Sequence, residues 1–101
     1  MESEAIQEAI NLAKSNNQKA FGYLFETFWD YLYSYLLKKT RNEDQAEDIA
    51  VRTFAKAFDK IDTFNPSFTF ETWLTTISRN IQIDQHRKKK SKKKIDATTD
   101  D

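Results

Sequence analysis

Residues 18–40 fix the kind of fold open to this chain. Phe21, Leu24, Phe25, Phe28, Leu32, Tyr35 and Leu36 recur there at steps of three and four. That is the period of a helix with one buried face, not of a strand. Trp29, Tyr31 and Tyr33 widen the apolar surface, so this helix needs cover from several neighbours and is expected to be central. Two further segments carry the same period: Ala46, Ile49, Ala50, Thr53, Phe54, Ala57 and Ile61, then Phe70, Trp73, Leu74, Ile77 and Ile81. A narrower stripe of Ile6, Ala9, Ile10 and Ala13 precedes them. Sustained alternation is absent, as are Asn-Gly and Asp-Gly turns, and the chain has one Gly and one Pro, so strands are not expected. The reading is an all-α fold, a small orthogonal bundle of about four helices. One domain spans residues 1–94, and residues 95–101 form a disordered tail or the start of an interdomain linker.

Local signals place the ends of these helices. Ser3 can cap the first helix, and Asn16-Asn17-Gln18 breaks its pattern. Asn42 can cap the third, with Gln45 three residues on as in a capping box. Asp44, Glu47 and Asp48 suit its positive start. Asn65-Pro66 opens a loop, because a proline disfavours helix at the residue before it. Thr69 can cap the fourth helix, followed by Glu71 in its first turn. Gly22 is either a local weakness or a point of close packing. The expected main core is Phe21, Leu24, Phe28, Leu32, Ile49, Phe54, Phe58, Trp73, Leu74 and Ile77.

Composition excludes several function classes. Cys is absent, so disulfide frameworks and thiolate metal sites are excluded. His86 is the single His; it has no companion ligands and no nucleophile arranged nearby. No catalytic residue, metal site or cofactor is therefore expected. No apolar run approaches the ~18 residues that span a bilayer, and no signal peptide is visible, so a cytoplasmic protein without membrane contact is expected. Formal net charge is zero, yet eight basic residues lie between Arg79 and Lys94 against Asp84 alone, a local charge of about +7. Such a segment can hold a polyanion, while the acidic remainder suits a basic partner.

The stretch from Phe64 to Lys94 combines three chemistries in order. Phe64, Phe68, Phe70 and Trp73 can stack on unpaired bases. Arg79, Asn80, Gln82, Gln85, His86 and Arg87 carry groups that read base edges. Lys88, Lys89, Lys90 and the lysines after them can hold phosphates. Asn80, Asp84 and Arg87 fall on one helix face. Taken singly, the aromatics read as core and the lysines as a solvated end; the combination points to nucleic acid.

Residues 18–94 resemble the second domain of bacterial sigma factors, closest to the extracytoplasmic-function (ECF) class. The resemblance rests on three ordered segments: AFGYLFETFWDYLYSYLLKKT, NEDQAEDIAVRTFAKAFDKIDTF and FTFETWLTTISRNIQIDQHRKK. It implies a transcription initiation domain, not an enzyme, that binds core RNA polymerase and opens promoter DNA. Asp48, Val51, Arg52, Ala55 and Lys56 hold the places that contact the clamp helices of the large polymerase subunit. Asn65, Ser67, Phe68, Phe70, Trp73, Asn80 and Arg87 hold those that capture a flipped base of the minus-ten element on the non-template strand. Arg79 and Lys88 to Lys90 complete the expected DNA surface. An anti-sigma factor is a possible further partner, and a module that serves only such an inhibitor is the competing reading. At Val51-Arg52 the family usually has Gln followed by an acidic residue, so charge is reversed there. Nothing resembles the family's minus-35-reading domain, and the chain ends where the linker to it is expected.

Overall fold

The computed structural model describes the backbone of residues 2–99 and the side chains of residues 2–87. Four helices follow in order: α1 (Glu4–Lys14), α2 (Gln18–Thr40), α3 (Glu43–Asp59) and α4 (Phe70–Thr99). A 3-10 turn, Ile61–Thr63, leads into the loop before α4. No strand occurs among the described residues, as the uniform helical period requires.

Small polar side chains start each helix. Ser3 Oγ accepts from the Ile6 N–H at 3.3 Å, and Asn17 Oδ1 from the Ala20 N–H at 3.1 Å. Thr69 Oγ1 accepts from the Thr72 N–H at 3.2 Å. Each bond satisfies a donor that the first turn leaves without a partner. At α3, Asn42 Oδ1 accepts from the Gln45 N–H at 2.9 Å, the expected half of a capping box. The other half differs: the Asn42 N–H donates to Thr40 Oγ1 at 3.2 Å. Asn16 (φ 64°) and Arg41 (φ 53°) turn the chain in the left-handed region after α1 and α2, which asparagine tolerates better than arginine.

Helix α2 is central, packing against α1, α3 and α4, while α3 also packs along α4. Leu24, Leu32, Leu36, Ala46, Ala50, Phe54, Phe70 and Leu74 are fully enclosed or nearly so. Of the expected core, Phe21, Phe58 and Trp73 are half-buried, at its margin. Phe25 is exposed, lying over Trp29 and Phe54 with ring centroids at 5.2 and 4.9 Å. Two buried hydroxyls bond along their own helices: Thr53 to the Ile49 carbonyl (2.7 Å) and Ser78 to the Thr75 carbonyl (2.8 Å). Those bonds offset the cost of enclosing a polar group. A Cβ built on Gly22 meets nothing within 4 Å, which leaves local weakness, not close packing, as its role.

The backbone of α4 is helical from Phe70 to Thr99. No helix of the described residues is long and apolar enough to cross a membrane.

Candidate functional site

Three exposed features meet the residues singled out above. The first is the outer face of α3. Asp48, Val51, Arg52, Ala55 and Lys56 are all exposed and share a face, at spacings of three and four. Arg52 Nε donates to Asp48 Oδ2 at 2.9 Å, with both side chains more than half exposed. Such a pair contributes ~1 kcal/mol at most, so an incoming partner can open it. Arg52 thus presents as half of an ion pair, beside a Val51 that is 50% exposed.

The second feature is the loop, residues 64–69. Phe64 is buried and meets Phe70 and Trp73 edge-on, with centroids at 5.7 and 5.1 Å. Asn65 spends its side chain on the turn: Oδ1 accepts from the Ser67 N–H (2.9 Å), and its carbonyl accepts from the Phe68 N–H (3.0 Å). This Asx-type turn, with Pro66 inside it, lifts Phe68 to the surface, where it is 58% exposed. Ser67 and Asn65 are exposed as well, and Trp73 is half-buried. Phe70 corrects the expectation. It has no exposed surface and packs on Phe28, Phe64 and Trp73 at 5.0–5.7 Å. A ring enclosed on all sides cannot stack on a base, so Phe70 is a prop beneath the loop.

A cavity of about 620 Å³ opens beside the loop, lined on one side by Pro66, Ser67 and Phe68 and on the other by Gln7, Asn11 and Lys14 of α1. The volume lies in the ordinary range for small-molecule sites. No pattern in the sequence pointed to α1, whose polar face reads as ordinary solvated surface.

The third feature is the surface of α4. Asn80 and Arg87 are exposed and share a face, as their spacing of seven requires. Arg79 is exposed too, but points about 100° away round the helix. It lines a second cleft, with Lys39 from α2 and Gln82, His86 and Arg87. Tyr35 lies at this seam, 4.9 Å from Lys39 Nζ to ring centroid. Burial pushes its phenol up, but the nearby Lys39 and Arg79 outweigh that and hold it below the ordinary tyrosine value. Lys39 was not anticipated, because it lies forty residues from Arg79 in sequence. Lys88, Lys89 and Lys90 have side chains outside the described residues.

The profile of the sigma-70 region 2 family matches residues 24–92, over most of this architecture. The chain belongs to that family. The ECF RNA polymerase sigma factor SigW of Bacillus subtilis is 36% identical over 92 residues, covering 91% of this chain and 49% of SigW. BldN, an ECF RNA polymerase sigma factor of Streptomyces coelicolor, is 31% identical over 99 residues, covering 97% of this chain and 37% of BldN. SigX of Bacillus subtilis is 27% identical over 74 residues, covering 73% of this chain and 38% of its own length. The chain thus spans about half the length, or less, of these relatives. In this region 2 domain the matched segment takes in most of α2, all of α3 and the loop, and α4 as far as residue 92. It leaves α1 outside. Among the described residues no group of three or more His, Asp or Glu side chains could hold a metal ion.

Proposed function

We propose that this chain acts in the cytoplasm as the promoter-melting domain of a transcription initiation factor, without catalysis of its own. The region 2 match over residues 24–92 carries the proposal. Helix α3 docks on the clamp helices of the large subunit of core RNA polymerase through Asp48, Val51, Arg52, Ala55 and Lys56. Exposure of all five on one face supports this. The loop and α4 engage the non-template strand of the minus-ten element. Phe68 and Trp73 stack on bases, Asn80 reads a base edge, and Arg79, Arg87 and Lys88 to Lys90 hold phosphates. Asn65 and Ser67 shape the turn and flank the cavity. Extruding a base costs a few kcal/mol, offset by stacking of ~1–3 kcal/mol and by pocket hydrogen bonds.

Co-purification with core RNA polymerase tests the docking half. Arg52→Glu sets two acids four residues apart in place of the Asp48–Arg52 pair. It should alter polymerase affinity while leaving the circular dichroism of the helices intact. Retention that ignores charge changes at Asp48, Arg52 and Lys56 alike would mean that polymerase docks elsewhere.

A further inference from the structure

The family profile begins beyond α1, although the matches to SigW and BldN, over 91% and 97% of this chain, reach into it, and the proposed function gives α1 no part. Yet α1 bonds to both ends of the loop. At the entry, Lys14 Nζ donates to the Phe64 carbonyl at 3.3 Å. At the exit, the Glu2 carboxylate, just ahead of α1, accepts from the Phe70 N–H at 2.7 Å. Phe70 is the first residue of α4, so this acid also meets the positive end of that helix. These contacts join residues 50 and 68 positions apart. The Asx turn within the loop, by contrast, is purely local. Local bonds give the loop its shape; buried Phe64 and Phe70 seat its two ends on the core, and the long-range bonds tie those same ends to α1 and the residue ahead of it. Buried Ala9, Ile10 and Ala13 anchor α1 to the core, so the fixed point is rigid. Asn11 is exposed on α1 and lines the same cavity as Phe68. Its amide offers a donor and an acceptor in one plane, the chemistry that distinguishes base edges.

We infer that α1 is part of the base-binding site: Glu2 and Lys14 position the loop, and Asn11 reads the edge of a nucleobase held beside Phe68. This rests on the reading of the loop as a base-binding site. Glu2 and Lys14 act through the loop, and Asn11 touches the base.

The test uses the whole chain. A preferred strand is selected from a randomised pool of short single-stranded DNA. Fluorescence anisotropy then compares the four bases at the position of strongest preference. Asn11→Ala should lower the ratio of preferred to disfavoured base by roughly fivefold or more, with no loss of thermal stability, since alanine is the better helix former. Lys14→Met should weaken the preferred strand more than a scrambled one, and Lys14→Arg should restore it, since arginine can still donate to the Phe64 carbonyl. Lys19→Met, the loss of an exposed positive charge outside the cavity, should leave the preference untouched. A wild-type chain that prefers no strand overturns both the base-binding reading and this inference. A discriminating wild type whose preference survives Asn11→Ala and Lys14→Met overturns this inference alone.

Discussion

Two phenylalanines two residues apart show how much one side chain's setting decides. Phe70 is enclosed by Phe28, Phe64 and Trp73, whereas Phe68 stands 58% exposed at the turn. Phe70→Ala should therefore cost about 3–5 kcal/mol in urea unfolding. Phe68→Ala should stay within about 0.5 kcal/mol and instead lose ~1–3 kcal/mol of single-strand binding. Equal destabilisation by the two would place Phe68 in the core and remove it from the base-stacking proposal. Gly22 allows a test without any ligand. It sits in α2 with open space around its Cα, so Gly22→Ala should raise stability by about 0.5–1 kcal/mol. A lower denaturation midpoint would reveal a contact there. The sequence could not separate the roles of Phe68 and Phe70, because core packing and base stacking ask for the same flat apolar ring.

At the scale of elements, local chemistry was legible and distant chemistry was not. The bounds of α2 follow from its stripe and its flanking polar residues, and Ser3, Asn42 and Thr69 cap where their residue types suggest. Asn42→Ala should cost about 0.5–2 kcal/mol, read as a lower midpoint in chemical denaturation with the slope unchanged. An unaltered midpoint would mean that Thr40 and water satisfy the first turn of α3 without it. The bonds of Glu2 and Lys14 to the loop were invisible in the sequence, since no periodic pattern links residue 2 to residue 70. On α3, Ile49, Ala50, Thr53, Phe54 and Ala57 take the core side, which leaves Asp48, Val51, Arg52, Ala55, Lys56 and Asp59 to solvent; only the family resemblance narrows that face to the first five.

For the whole molecule, the proposed function divides DNA contacts along α4 into two kinds. Asn80 carries a donor and an acceptor, while Lys88 and Lys89 carry charge only, so the two groups should fail differently. The deciding measurement is fluorescence anisotropy of the chain on a cognate minus-ten non-template strand and on a scrambled one, across a salt series. Asn80→Ala should weaken the cognate strand more than the scrambled one. Lys88→Ala and Lys89→Ala should weaken both alike and each reduce the salt slope by about 0.7, as expected for a single strand. Equal losses on both strands for Asn80→Ala would contradict base reading and leave a domain that holds polyanions without regard to sequence.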